Sequence, residues 1–274
     1  MEPIAWGYGL AEAPRADATG ALWFSDVIGG GVYRRAADGT IATVVPKRRG
    51  VGGLVLHADG GVVIAGKDVI HVGAAGTRIL LRLEGALGFN DMITDARGRV
   101  YVGSLRSSAF ETEGRVPGEL WRIDGEDAAT EVYGDVEFCN GVGLSPDGRT
   151  IYHSNYSRAE ILAHDLDDTG RAVNRRVFAT LARGNPDGLA VDERGRVWEA
   201  TGPGGTLARF APSGALDAIE PVPATFVTSV CFGGEDRCDL YVTTADNTAD
   251  PDRRGTIFRA RVEVPGVAVA PARV

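Results

Sequence analysis

Four things are scarce in this chain, and each scarcity removes a class of answer. No run approaches about 18 consecutive apolar residues, so the sequence predicts no membrane-spanning helix. The opening "MEPIAWGYGL" has neither a basic start nor a long apolar core, so no secretory signal is expected there. Only Cys139, Cys231 and Cys238 are present, without a CxxC pair. That argues against a disulfide scaffold and for a reducing, cytoplasmic setting. Helical periodicity is rare, since apolar residues alternate or fall in short runs. HExxH, GxSxG and glycine-rich phosphate loops ahead of a helix are missing too. The net charge of −8 over 274 residues speaks against a nucleic-acid partner. The one basic cluster, Lys47, Arg48 and Arg49, reads as a solvated loop between strands.

What is present is a repeat. "ATGALWFSD", "ADGGVVIAG", "ARGRVYVGS", "PDGRTIYHS", "ERGRVWEAT" and "EDRCDLYVT" each place a polar turn before a short strand. The strands start at Leu22, Val62, Val100, Ile151, Val197 and Leu240, a period of roughly 38 to 51 residues. That range fits propeller blades of four strands. A second strand follows each, as in "GVYRRA" and "TIFRARV", across Asp-Gly and Ser-Gly turns. The expected fold is therefore all-β: a six-bladed propeller of four-stranded antiparallel blades, one domain spanning residues 1–274. The opening strand near Ile4 to Leu10 should complete the last blade and close the ring. A solenoid, the structural alternative, would need polar caps that are not seen.

Ten or eleven residues before each strand start stand Glu12, Gly52, Asn90, Asn140, Asp187 and Ser229. Equivalent positions in a ring share one height around the axis. Glu12, Asn140 and Asp187, with Asn90 as a fourth oxygen donor, thus point to one hard divalent cation at the mouth of the channel. Ca²⁺ leads, with Mg²⁺, Mn²⁺, Zn²⁺ and Fe²⁺ as alternatives. His153, in "IYHSN", follows a strand and is placed at the channel as a substrate contact; His57, His71 and His164 read as structural.

The strings "AEAPRAD", "LWFSD", "FNDMITDARGRVYVGS", "NGVGLSPDGRTIY", "PDGLAVDERGRVW" and "TSVCFGGEDRCDLYVTTA" together resemble the senescence marker protein (regucalcin), gluconolactonase and luciferin-regenerating enzyme family. The resemblance runs through nearly the whole chain. It implies a six-bladed propeller, Glu12, Asn140 and Asp187 as metal ligands, and Asn90 on the substrate side with Asp91 beside it. It implies hydrolysis of a lactone or related cyclic ester, the metal acting as Lewis acid. Asp187, or alternatively Asp91, would assist the attacking water. The partner is a small molecule. Family members often carry Arg two residues before the Asn-Asp pair, where this chain has Gly88. The departure predicts a smaller or less polar lactone, with Arg106 in "GSLRSS" as a substitute charge. Glu199, in "VWEATG", is a second departure. Other reactions at the same metal site (isomerase, cyclase, C–C or phosphoester hydrolase) and a non-catalytic calcium-binding regulator stay open.

Overall fold

The computed structural model describes residues 1–109, 111, 113–125 and 128–274. Its 24 strands form six antiparallel sheets of four. The inner strands are Ala11–Ala16, Gly53–Leu56, Gly88–Thr94, Cys139–Leu144, Leu189–Val191 and Val227–Gly233, and they define blades 1 to 6 in chain order. In blade 6 the outermost strand is Glu2–Tyr8, paired to Gly255–Arg261. The ring closes as the sequence predicts: the first strand supplies an edge that the last blade lacks. Among the described residues helix is confined to two single turns, Tyr156–Arg158 and Pro251–Arg253. Among the described residues no helix is long and apolar enough to cross a membrane.

The recurring polar turn has a physical basis. Asp17, Asp95 and Asp192 each accept the backbone N–H groups two and four residues on, through one carboxylate oxygen. The other oxygen takes a side chain from the following strand or the residue just before it: Trp23 on Asp17, Arg99 on Asp95, Arg196 and Trp198 on Asp192. The carboxylate therefore closes the turn and pins the next strand to it.

Between blades the walls are apolar. Val55 and Val63 of blade 2 pack on Phe89, Met92, Val100 and Val102 of blade 3. Trp198 and Leu207 of blade 5 pack on Val230, Leu240 and Phe258 of blade 6. Burial of such side chains contributes roughly 1.5–3 kcal/mol each. After the last strand, the segment 262–274 crosses the end of the ring where the inner strands finish. It bridges Asp192 through Gly266 and His57 through Ala272.

Candidate active site

Four inner strands carry a bulge where the repeat phase places a polar residue. The register slips between Glu12 and Arg15, between Phe89 and Met92, between Cys139 and Val142, and between Val227 and Ser229. A bulge twists the strand and re-aims a side chain. Here Glu12, the pair Asn90–Asp91, Asn140 and Ser229 lie in or at these slips. Beside Glu12, Ala13 holds a left-handed backbone (φ 52°), which a non-glycine residue adopts at some cost. Asp187 precedes the short inner strand of blade 5, anchored by its N–H on the Ala200 carbonyl at 2.8 Å.

These residues meet. Glu12, Asp91, Asn140 and Asp187 are all buried. Burial, then the neighbouring Asp187, push the Glu12 carboxyl well above its ordinary range. Asp187 is likewise raised by burial, partly offset by a hydrogen bond from the Asn140 amide. Glu199 is fully buried, raised by burial, bonded by the Ser154 hydroxyl at 3.0 and 3.1 Å, and within the field of Asp187. Among the described residues one cation faces this group: Arg15, whose Nη2 reaches Asp91 at 3.1 Å and the Met92 carbonyl at 2.6 Å. Four buried carboxyls against one guanidinium leave a strong excess of oxygen donors and negative charge. Such a set fits a hard divalent cation. Among the described residues no three His, Cys, Asp or Glu side chains alone form a ligand group. Two of these carboxylates with the Asn140 amide oxygen could hold one such cation.

Asn90 is oriented by donating from Nδ2 to the Cys139 carbonyl at 3.0 Å. Its Oδ1 lies where a Cβ on Gly52 would stand, 1.9 Å away. Gly52, the apolar exception in the repeat phase, is thus the clearance that Asn90 needs. Asp91 is saturated: Arg15 and the Met92 N–H share one oxygen, and the Val142 N–H takes the other.

Two residues expected at the substrate stand apart from the carboxylates. His153 is fully buried between blades 3 and 4, its Nδ1 3.1 Å from the Tyr133 hydroxyl, because its strand position faces the neighbouring sheet. Arg106 is held through Nε by Glu119 at 3.1 Å and through Nη1 by the Glu84 carbonyl at 2.7 Å. The structure adds Arg15 and Tyr156, which the sequence reading overlooked. Burial, then the charge of Asp187, push the Tyr156 phenol up to about 12. Its ring packs edge-on against Phe138 with centroids 5.5 Å apart, forming an aromatic border to the site. No spacing in the sequence marks either residue.

A bulged ring of oxygen donors on a six-bladed propeller can be compared with known proteins. The profile of the SMP-30/Gluconolactonase/LRE-like region matches residues 10–246. The chain belongs to this family. It is a lactonase-type enzyme by that membership. It is similar to a 6-deoxy-6-sulfogluconolactonase of Pseudomonas putida, 34% identical over 90% of this chain and 89% of the relative. It is also similar to a pentonolactonase of Haloferax volcanii, 34% identical over 65% of this chain and 64% of the relative. In fold it is similar to regucalcin of Agrobacterium tumefaciens, described as a calcium-binding protein. There the TM-score is 0.83 at 23% identity, covering 100% of this chain and 95% of the other.

Proposed function

We propose that this SMP-30/gluconolactonase-like protein hydrolyses the lactone of a polyhydroxylated sugar acid, with one divalent cation, Ca²⁺ first among candidates, held by Glu12, Asn140 and Asp187. The observation that carries the reading is the buried convergence of those three side chains, with Asn90 beside them. The names of the two lactonase relatives support the substrate class. The description of the Agrobacterium protein supports Ca²⁺. Three buried, free cysteines support a reducing, cytoplasmic setting.

Bound there, the ion would supply Lewis-acid stabilisation of the charge that develops on the lactone carbonyl oxygen. Asp187 takes the role of base: a water attacks the carbonyl carbon and passes a proton to the Asp187 carboxylate. The carbonyl carbon then parts from the ring oxygen, which takes that proton to become the free hydroxyl of the acid. Asp91 is the poorer base, since three donors already occupy its oxygens, and it serves instead to hold Arg15. Asn90, fixed by Cys139, presents Oδ1 to a substrate hydroxyl. Tyr156 shields one side of Asp187 from water.

The test is turnover of purified protein with Ca²⁺, Mn²⁺, Zn²⁺, Mg²⁺ and Fe²⁺ in turn, against pentono-, hexono- and unsubstituted lactones. Cation-dependent opening of the sugar lactones is expected. Failure with every metal and every lactone would remove the reading.

A further inference from the structure

Residue 88, where the family resemblance leads one to expect an arginine, is glycine, and the structure shows why no side chain stands there. A Cβ on Gly88 would lie 2.6 Å from the Gly66 carbonyl oxygen and 3.6 Å from the Lys67 Cα. The same oxygen accepts the Phe89 N–H at 2.7 Å, so the two backbones are locked together. Backbone cannot yield as a flexible side chain can, and residue 88 must be glycine.

A guanidinium from another blade lies against Gly66 instead. Arg48, on the connection from blade 1 to blade 2, lays its Nη2 and Nε 3.6 and 3.7 Å from the Cβ position of Gly66. Pairing of Gly53 with Ala65 brings Gly66 level with Gly52, and Gly52 abuts Asn90. Arg48 therefore sits on the same mouth of the channel as the carboxylate group, on the Asn90 side. Among the described residues its Nη2 is engaged, on the Asp68 carboxylate and carbonyl. Nε is buried without a partner, and no hydrogen bond holds Nη1 among the described residues. The side chain keeps 26% of its surface exposed.

The neighbourhood is cationic. Asp68 also binds Arg82 at 3.0 Å. Burial works against its ionisation, but the bonds from Arg48 and Arg82 hold it below the usual carboxylate range. Two guanidiniums thus share one carboxylate, leaving a positive charge, and the exposed Lys67 adds a second. Across the mouth stand Glu12, Asp187 and Glu199. A substrate with its carbonyl at the carboxylate-bound ion and its far end toward blades 2 and 3 would place that end against fixed positive charge.

We infer that Arg48, backed by Lys67 and Arg82, is the specificity determinant for a lactone carrying a fixed negative charge on its exocyclic end. The inference rests on the lactonase reading for its substrate class. A guanidinium with an unbonded Nη1 suits a phosphate or sulfate group. Arg48 would then supply a charge that residue 88 lacks, against the expectation of a smaller or less polar lactone.

The experiment compares glucono-1,5-lactone with its 6-phosphate and 6-sulfate esters, which differ only at the far end. Wild type should show kcat/KM at least tenfold higher for the charged lactones. Arg48→Gln should shrink that ratio about tenfold through KM, and Arg48→Lys should keep part of it. A phosphate preference without a sulfate preference would mark a requirement for double charge. Equal kcat/KM for neutral and charged lactones in wild type, or an unchanged ratio in Arg48→Gln, would overturn the inference. Calorimetry with 6-phosphogluconate and gluconate reads the same subsite without turnover. If no lactone is opened, the lactonase reading falls, and calorimetry still decides: loss of phosphate-dependent binding in Arg48→Gln upholds Arg48, and unchanged binding rejects it. Circular dichroism of each variant separates misfolding from loss of recognition.

Discussion

Arg15 and Asp91 meet at 3.1 Å inside the channel, one from blade 1 and the other from blade 3, each almost fully buried. Arg15 also bonds the Pro14 and Met92 carbonyls, and Asp91 also accepts the Met92 and Val142 N–H groups. The pair ties three blades at one point on the axis. Removing one member strands a buried charge, which typically costs about 3–5 kcal/mol, whereas replacing both by apolar groups can be close to neutral. Arg15→Met is expected to destabilise by about that amount, and Arg15→Met with Asp91→Leu by clearly less. Urea unfolding of both singles and the double at constant Ca²⁺ checks this. A double variant as unstable as the sum of the singles would deny the coupling.

Asp187→Ala should leave the fold intact, because the residue precedes a strand and packs in no apolar cluster. Turnover should fall at least 100-fold. A second readout is independent of catalysis. A cation that binds the native state raises its stability by mass action, about 2.7 kcal/mol at 100 times Kd. Wild type should therefore gain in Tm on adding Ca²⁺, and Asp187→Ala should not. An undiminished gain in the variant would place the ion elsewhere.

Gly52→Ala brings a Cβ to within 1.9 Å of Asn90 Oδ1, and Asn90 must turn aside. The bond from Asn90 to the Cys139 carbonyl is then strained or lost. A drop in kcat/KM of roughly tenfold, carried mainly by KM, is expected, since a missing polar contact of about 1.4 kcal/mol has that effect. Asn90→Ala should match it, and the double variant should be no worse than either single. Additive losses would mean that Gly52 and Asn90 act separately.

The repeat phase made the ring, the blade count and the height of Glu12, Asn90, Asn140 and Asp187 legible from residue order alone. It works because one turn chemistry, an Asp closing on N–H groups two and four residues ahead, recurs at matching places. The two residues out of pattern have their own reasons. Gly52 is clearance for Asn90, and Ser229 lies under Gly188, whose Cβ would stand 2.0 Å from its hydroxyl. Contacts between blades were not legible. Arg15 and Asp91 are 76 residues apart, and Arg48 lies against Gly66; nothing in local spacing encodes either. His153 misled for a related reason. Its strand position gives the distance along the blade but not which neighbouring sheet its side chain enters.

His153 and His164 carry the last prediction. Both are buried, flanking Tyr133: His164 stacks on its ring at 3.7 Å, and His153 Nδ1 lies 3.1 Å from its hydroxyl. Burial, then the nearby His164 and Arg175, lower His153 to about 3. Burial, then Arg175 and Arg176, lower His164 to about 4, with Asp165 opposing. In the unfolded chain both revert to about 6.5. Below that pH the unfolded state binds protons that the folded state refuses, so stability falls as pH falls and is level in these groups above 6.5. For the fully buried His153 the slope is about 1.4 kcal/mol per pH unit. His153→Gln can still accept from Tyr133 but does not titrate. Between pH 7 and pH 5 wild type should lose about 2 kcal/mol more than this variant, measured as urea unfolding free energies. Carboxylates that contribute to the acid limb are common to both proteins and cancel in the difference. Equal losses would show that His153 takes up its proton in the folded blade and is not a dry, neutral histidine.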